Sequence, residues 1–584
     1  MHNRISLLTG FLLFQLIAGC QPASLSEEAT EISDELPFRP HILWLVTEDM
    51  GPYIAAFGDS TIETPNLSRL AAEGIRYPNL FSPSGVCAPS RAAIAIGLYP
   101  SSFGANHMRT SSHREFTGLP AYEAIPPPEA KMMSQRLREN GYYCTNNLKK
   151  DYQFQEPVTA WDASGPFAHW RNRSEGQPFF SIFNFTETHE SGLFEPYGFR
   201  HVEQRHYLSG DTTFDINAGK DNIRRGRMNE EETTVHIPQD LDFPIPPYLP
   251  DTEVVRRDLW KMYNNITEMD RQLGAILDQL EADGLLDSTI IFFYADHGGP
   301  LPRQKRLIYD SGLNSPMIVR FPNGWKAGDI DEQLISFVDF APTVFSLVGI
   351  KPPDYLHGQA FLGEYSAAEK RDYIYAAADR FDEFTDAIRA VRDPQFKYIR
   401  NYRPEQGYYL PISYREQIPS MQQLRQMQAE GTLNEYQEQW FRESKPSEEL
   451  FDCEKDPHEL HNLADNPKYA EKLAALRAEL DQWLEAIGDQ PNLPERELVK
   501  QLWKGSDKQP TTVAPEITIT DRSITISCPT SGANIGYQFV SDKNEADYWQ
   551  VYTEPFTVNE SSQLRVQAHR IGYKPSEVIE ASVP

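Results

Sequence analysis

A chain of 584 residues exceeds one ordinary hydrophobic core, so we expect roughly two to four domains. Its 40% hydrophobic and 12% aromatic residues suffice for globular folding, and no interior apolar run is long enough to cross a membrane. The formal charge of −29, from 55 Lys and Arg against 84 Asp and Glu, argues against a nucleic-acid partner, which requires a basic surface. Charges are screened over about 8 Å at ~0.15 M salt, so a local positive pocket can still bind an anion.

The first 19 residues predict a secretory signal peptide. Arg4 precedes an apolar run that is too short and wrongly flanked for a membrane span. The run ends in Ile17-Ala18-Gly19-Cys20, which resembles a bacterial lipobox and implies cleavage before Cys20 and acylation of its thiol. Residues 20–37 would then be a flexible tether, and the protein an exported lipoprotein of the outer membrane, cell surface or periplasm. An ordinary signal peptide is the alternative.

The other four cysteines, at positions 87, 144, 453 and 528, are scattered. They lack the paired spacing of metal sites, and we expect no disulfide framework.

Two apolar stretches predict buried parallel strands that end in acidic groups. Residues 41–47 lead into Glu48-Asp49, and residues 289–295 lead into Asp296-His297. Ligands bind at the carboxyl ends of strands in open α/β sheets, so both pairs are expected to converge on one metal ion. A solvated turn is the alternative for the first pair.

The stretch 84–97 predicts a helix whose N-terminus carries Cys87. Pro89 suits the first turn, and Gly97 suits the residue after the last. Unpaired N–H groups and the helix dipole would lower the pKa of the thiol and stabilise a bound tetrahedral anion. Alternatively, Cys87 is a small buried hydrophobic residue.

Further elements follow in chain order. Phe179 to Phe185 predicts a buried strand, after which comes His189. Residues 191–250 are irregular and predict loops that shape a cleft. Apolar residues at helical spacing predict an amphipathic helix over 252–282 that stops at Gly284. After a polar linker at 491–513, alternating residues predict an immunoglobulin-like β-sandwich over 514–584, either a carbohydrate-binding module or a spacer.

The segment Cys87-Ala88-Pro89-Ser90-Arg91 resembles the C-x-P-S-R signature of type I sulfatases, in the alkaline phosphatase superfamily, and Leu98-Tyr99-Pro100 extends the likeness. In that family the cysteine is oxidised to formylglycine, an aldehyde. The resemblance covers about residues 38–490. It implies a large, mixed but mostly parallel sheet sandwiched by helices over 38–375, and a smaller α+β subdomain over 376–490.

The resemblance also implies a metal site. Its ligands would be residue 87 together with Glu48, Asp49, Asp296 and His297. Glu48 replaces the more usual Asp and lengthens one ligand arm. The carboxylates favour Ca²⁺, with Mg²⁺ as the alternative. His297 weakens that choice, because imidazole is commoner on transition metals.

Catalytic roles follow from the same resemblance. Formylglycine at Cys87 would be hydrated to a gem-diol nucleophile held by Arg91 and Lys149, with His189 near the departing oxygen and Lys305 on the sulfate. Asp151 stands where the family has a histidine, which leaves the local acid–base arrangement open. Candidate substrate contacts, or else ordinary surface groups, are His107, Arg109 and Arg303.

The expected function is therefore hydrolysis of sulfate esters on an extracellular polysaccharide, such as ulvan or a glycosaminoglycan, by an enzyme of a marine or gut bacterium. A formylglycine-generating enzyme is an implied partner. One alternative is a phosphodiesterase or phosphonate hydrolase of the same superfamily. The other is a surface lipoprotein that binds glycan without turnover.

Overall fold

The computed structural model describes residues 39–111, 117–194, 199–201, 225–227, 235–540 and 548–584. The signal segment 1–19, the lipidation site Cys20 and the tether 20–37 lie outside these residues, as does part of the predicted loop region 191–250. Among the described helices, none combines the length and the apolar character that crossing a bilayer requires.

The strands are short to medium in length. In chain order they are β1 (His41–Thr47), β2 (Ile75–Phe81), β3 (Tyr143–Asn147), β4 (Ala163–Ser164), β5 (Phe179–Phe185), β6 (Phe199–His201), β7 (Arg225–Arg227), β8 (Thr289–Ala295), β9 (Asn314–Arg320), β10 (Ile335–Ser336), β11 (Ile374–Ala378), β12 (Ile388–Arg392), β13 (Phe396–Asn401), β14 (Glu448–Asp452), β15 (Glu516–Thr520), β16 (Ser523–Ser527), β17 (Asn534–Phe539), β18 (Gln550–Val551), β19 (Phe556–Thr557), β20 (Ser562–His569) and β21 (Ile579–Val583).

The α-helices range from one turn to 30 residues. They are Pro65–Glu73, Cys87–Ile96, Met133–Glu139, Glu253–Ala282, Asp310–Leu313, Phe340–Leu347, Pro419–Glu430, Glu435–Glu438, Ala470–Ile487 and Glu495–Leu502. The longest helix, Glu253–Ala282, confirms the amphipathic helix predicted over 252–282. Thr252 caps its start by accepting a hydrogen bond from the Val255 N–H, and Gly284 follows its end in the left-handed region, where glycine is favoured.

The main sheet has eight strands in the order β10-β2-β9-β8-β1-β5-β3-β4. β9 runs antiparallel to β2 and β8, while the other pairs are parallel. β1 lies between β5 and β8, so that the carboxyl ends of three buried strands meet at one edge. This confirms the mixed, mostly parallel sheet and positions the residues that follow those strands.

Helices cover both faces of this sheet. Leu43 and Leu45 of β1 pack into a core cluster with the helix Glu253–Ala282, whereas Trp44 and Val46 face a second cluster with the helix Phe340–Leu347. The alternation along one strand follows from its period of two. A strand buried on both faces must be apolar throughout, which is why these runs could be recognised in the sequence.

Three antiparallel sheets follow the main sheet. The strands β11 to β14 form a four-stranded sheet, on which the helix Ala470–Ile487 packs through residues such as Trp483. The sheets β15-β16-β19 and β18-β17-β20-β21 share a small apolar core that includes Ile524 and Leu564. This is the sandwich arrangement predicted for the C-terminal module.

The module contacts the main domain directly. Arg138 donates a hydrogen bond to the carbonyl of Trp549 at 2.6 Å, and the Cα of Gly572 lies so close to Ala124 that a Cβ there would come within 2.3 Å of its carbonyl oxygen. The stretch 491–513, predicted to be a linker, contains the helix Glu495–Leu502. This helix is held against the rest of the chain by two contacts. Glu495 accepts two hydrogen bonds from Arg380, and apolar side chains of the stretch 491–513 pack on Tyr122.

Candidate active site

Cys87 is the first residue of the helix Cys87–Ile96, as predicted, and Gly97 ends that helix with φ 78°. Its thiol is fully buried, with Sγ 3.7 Å from Asp49 Oδ1 and 3.5 Å from His297 Nε2. Burial raises the pKa of the Cys87 thiol, and the carboxylates of Asp296 and Asp49 add to this against the ammonium of Lys305. This raised pKa contradicts the expected acidic thiol, because burial removes the water that would stabilise a thiolate.

A metal-type donor set surrounds that thiol. Ligand atoms of Asp49, Cys87, Asp296 and His297 all lie within 4.8 Å of one another. Asp49 and Asp296 come from the ends of β1 and β8, and the Asp49 N–H donates to Asp296 Oδ1 at 3.1 Å. The sequence prediction that these two strand ends converge is confirmed.

The electrostatics of this set fit a divalent cation. Burial lowers the pKa of His297, but Asp296 and Asp49 outweigh that effect and raise the pKa to about 10. His297 Nε2 lies 2.9 Å from Asp49 Oδ1, so a proton on this imidazole offsets the buried carboxylates. A bound cation would take over this function, and two carboxylates with one imidazole are an acceptable ligand set for it.

Glu48 lies beside this donor set and contacts cations instead. Its Oε1 atom is 2.9 Å from Lys149 Nζ and 3.4 Å from Arg91 Nη2. Its Oε2 atom is 3.9 Å from His189 Nε2. The structure thus groups three of the four predicted side-chain ligands with Cys87 and directs the longer Glu48 arm to Lys149 and Arg91.

Arg91 is held in place by hydrogen bonds to two side chains. Its Nε donates to Asp296 Oδ2 at 3.0 Å and its Nη1 donates to Asn184 Oδ1 at 2.7 Å. Asn184 in turn donates to the carbonyl of Asn147 at 2.8 Å. Sequence reasoning missed Asn184, although a polar residue inside the apolar strand Phe179–Phe185 was a usable signal.

Lys305 and His189 lie on the other side of Asp49. Lys305 Nζ is 2.6 Å from Asp49 Oδ2 and 3.4 Å from His189 Nε2. Burial and the Lys305 ammonium hold the pKa of His189 well below its ordinary value, so the imidazole is neutral at pH 7. Its Nδ1 lies 2.8 Å from Ser191 Oγ, which orients the ring.

A buried ion network supports this side of the site and was also missed. The N–H of Glu190 donates to Asp49 Oδ2 at 2.8 Å, and its carboxylate receives two hydrogen bonds from Arg306, both 2.8 Å. Arg306 Nε reaches Asp382 Oδ2 at 2.8 Å. The signal available in the sequence was the Lys305-Arg306 pair, whose two charges need carboxylate partners once they are buried.

The three predicted substrate contacts lie in different parts of the structure. Arg109 is partly exposed and lies 3.8 Å from Asp382, at the margin of the network. His107 is buried elsewhere, where its Nδ1 accepts a hydrogen bond from the N–H of Arg380. Arg303 donates to the carbonyls of His458 and Glu459. The structure therefore does not bring His107 or Arg303 to the group around Cys87.

The fold and this site define a class. A mostly parallel α/β sheet presents, at one edge, a metal-type donor set around a nucleophile position. Lys305 and Arg91 are hydrogen-bonded to the carboxylates of this set, and Lys149 lies on the neighbouring Glu48. Such a constellation suits hydrolysis of an ester whose leaving or transferred group is a tetrahedral anion.

The chain belongs to the sulfatase family. The family described as Sulfatase matches residues 40–144 and 139–350, and the family described as N-sulphoglucosamine sulphohydrolase, C-terminal, matches residues 303–415. An ulvan-active sulfatase of Formosa agariphila is 61% identical over 587 residues, which cover 100% of this chain and 98% of the relative. The resemblance inferred from the motifs is thereby confirmed, and so is the enzyme class, sulfuric ester hydrolase.

More distant relatives are also described as sulphohydrolases or sulfatases. Human N-sulphoglucosamine sulphohydrolase is 24% identical over 478 residues, covering 76% of this chain and 90% of the relative. A structure solved with the substrate D-glucosamine-2-N,6-O-disulfate aligns with a TM-score of 0.52 at 18% identity, over 79% of this chain and 100% of that chain. A 2-O GAG sulfatase aligns with a TM-score of 0.51 at 18% identity, over 77% of this chain and 93% of that chain. At this identity the structural matches support the fold alone.

Proposed function

We propose that this sulfatase removes sulfate from ulvan or from oligosaccharides derived from it. The observation that carries this proposal is the 61% identity, over the whole chain, to an enzyme described as ulvan-active. A glycosaminoglycan is the second candidate substrate, since N-sulphoglucosamine sulphohydrolase is among the relatives.

The test is a substrate panel. Purified protein is assayed for sulfate release from ulvan oligosaccharides, glycosaminoglycan oligosaccharides and an aryl sulfate, with an aryl phosphodiester as the control for the alternative chemistry. We expect kcat/KM on ulvan oligosaccharides to exceed that on the glycosaminoglycan by at least about tenfold, because specificity is differential binding of the transition state. Release from none of the sulfated substrates would refute the proposed function. Faster turnover of the phosphodiester than of any sulfate ester would identify a phosphodiesterase instead.

The nucleophile in this proposal is residue 87 after oxidation of Cys87 to formylglycine by a formylglycine-generating enzyme. The hydrated aldehyde supplies an oxygen nucleophile. Arg91 and Lys149 lie beside this position, and both contact Glu48. Held in this way, the two cations would orient the hydrated group and stabilise negative charge on it.

The proposed metal ion is Ca²⁺, with Mg²⁺ as the alternative. Asp49, Asp296, His297 and residue 87 would hold it, and it would withdraw charge from the sulfate oxygens. Glu48 would remain close by as the partner of Lys149. His297 has to lose its proton to serve as a ligand.

Lys305 and His189 would act on the sulfate and on the departing oxygen. The Lys305 ammonium is held by Asp49 at 2.6 Å and faces His189 Nε2 at 3.4 Å. A bound sulfate ester adds negative charge beside this pair and so raises the pKa of the imidazole. A proton held between the two side chains is then available to the leaving sugar oxygen.

Arg306 is expected to position this pair without touching the substrate. Arg306→Lys keeps the charge but loses the two parallel hydrogen bonds to Glu190, so we expect kcat to fall about tenfold, with a smaller change in KM. Steady-state kinetics on one sulfated oligosaccharide checks this. The matched control is Arg371→Lys, since Arg371 holds Asp339 by a similar fork away from the site, and it should retain kcat. Equal losses in both variants would contradict the assignment.

The proposal extends to the location of the enzyme. The basic and apolar leader with Ile17-Ala18-Gly19-Cys20 supports export and acylation of Cys20, which would anchor the protein at the outer membrane, cell surface or periplasm. A large polysaccharide is met outside the cell, so this location agrees with the proposed substrate. The mass of the N-terminal peptide from the native host tests the acylation.

A further inference from the structure

A cavity adjoins the active site. It has a volume of about 310 Å³ and is lined by residues 150–156 together with Arg109, Ser111 and Glu123. This volume is at the lower end of the range of about 300–1,000 Å³ for small-molecule sites. We call it the 151–153 cavity.

The cavity and the catalytic group share a wall. Asp151 Oδ2 lies 3.8 Å from Lys149 Nζ, which itself lies 2.9 Å from Glu48 Oε1. On the other side, Arg109 lies 3.8 Å from Asp382, which joins the network of Arg306. The cavity therefore begins next to Lys149, at the edge of the group around Cys87.

Two side chains of the cavity wall carry buried polar atoms that lack a hydrogen-bond partner among the described residues. They are the acceptor Asp151 Oδ2 and the donor Gln153 Nε2. Buried polar groups in folded proteins are nearly always paired, because a buried donor or acceptor without a partner is destabilising. Asp151 Oδ2 lies 3.8 Å from the Lys149 ammonium, outside hydrogen-bond distance, so one acceptor and one donor, two residues apart, are left to pair with hydroxyl groups of a ligand.

The other groups of the wall favour a neutral, hydroxylated ring over a second sulfate. Lys150 is paired with Glu156, and Arg109 interacts with the carboxylates of Asp151 and Asp382, so the positive charge here is already balanced. The rings of Tyr152 and Phe154, each 8% exposed, stack with centroids 5.9 Å apart and add apolar surface to the wall.

We propose that the 151–153 cavity binds a pyranose unit of the substrate next to the sulfated position. Asp151 accepts a hydrogen bond from one ring hydroxyl, and Gln153 donates one to another. The inference rests on the proposed function, since it names the part of the glycan that this site reads.

The experiment compares Asp151→Asn and Gln153→Ala with the parent on two substrates, a sulfated oligosaccharide and an aryl sulfate without sugar. We expect kcat/KM on the oligosaccharide to fall about 10- to 100-fold for Asp151→Asn, as for loss of a hydrogen bond to a charged group, and less for Gln153→Ala. The loss on the aryl sulfate should be smaller by at least about tenfold. Asp465→Asn, an exposed aspartate of the C-terminal subdomain, is the matched control and should equal the parent.

Binding separates this proposal from the proposed function. In a Cys87→Ala background, calorimetric affinity for the oligosaccharide should fall by a similar factor when Asp151→Asn is added. Equal losses on both substrates, or unchanged affinity, would overturn the sugar site. A parent that releases no sulfate, but whose Cys87→Ala form binds the oligosaccharide through Asp151, would refute the function and leave the cavity assignment intact.

Discussion

Replacing Cys87 by alanine is expected to abolish sulfate release, with kcat lower by at least about 10⁴-fold, the size of loss seen when a nucleophile is removed from other hydrolases. Residue 87 lies within 3.7 Å of both Asp49 and His297, where an attacking oxygen would be in contact with the donor set and with the anion-binding side chains. The alanine side chain offers neither a thiol to oxidise nor an oxygen. Sulfate release from a defined oligosaccharide measures the effect.

The matched control for this variant is Cys528→Ala. Cys528 is a free, partly exposed cysteine of the C-terminal sandwich. Its replacement should leave kcat unchanged, and mass spectrometry of the peptide that contains residue 87 should detect the aldehyde in the parent and in this control. If Cys87→Ala retained turnover, the covalent mechanism and the role of the helix terminus would both be refuted.

Asp49→Asn is expected to lower kcat/KM by at least about 10³-fold, because a single electrostatic contact of this kind is worth about 10²- to 10³-fold and Asp49 makes several. One oxygen contacts Lys305 at 2.6 Å and the N–H of Glu190 at 2.8 Å, while the other contacts His297 at 2.9 Å. The amide is nearly isosteric but loses the charge that holds a cation and that pairs with Lys305. Activity measured against Ca²⁺ concentration should show weaker activation than in the parent.

A buried aspartate outside the site provides the control. Asp339 accepts hydrogen bonds from the N–H groups of Ser336 and Gln359 and pairs with Arg371. Asp339→Asn should lower the unfolding temperature, because it weakens a buried ion pair, while the folded fraction keeps its kcat. Chelation of the parent should reproduce the Asp49→Asn phenotype, and added Ca²⁺ or Mg²⁺ should reverse it in the parent. Full activity after exhaustive chelation would contradict the metal proposal.

Most of the main domain could be predicted because buried parallel strands leave a clear pattern. The apolar runs at 41–47 and 289–295 are followed directly by Glu48-Asp49 and by Asp296, and the carboxyl ends of adjacent parallel strands lie at one edge. The long helix could also be predicted, because its apolar spacing and the glycine at 284 that follows its end are local signals. Local patterns therefore indicated both the elements and the edge that carries the site.

The site was harder to predict, because ion pairing is decided by neighbours distant in sequence. Glu48 and Asp49 are adjacent, yet Glu48 turns to Lys149 and Arg91 while Asp49 joins His297 and Lys305. The helix terminus suggested an acidic thiol at Cys87, but the pKa depends on how completely tertiary packing removes water. Neither effect can be read from local residue types.

By itself, the sequence determined the α/β class, the family, the helix that begins at Cys87 and the convergence of two strand ends. Only the tertiary structure decided that Asn184, Glu190 and Arg306 support the site, that His107 and Arg303 serve elsewhere, and that Asp151 faces a cavity. The physical reason is that periodicity and motifs are properties of neighbours along the chain. Burial and charge pairing arise between segments that folding brings together from more than 100 residues apart, such as Arg306 and Glu190, 116 positions apart.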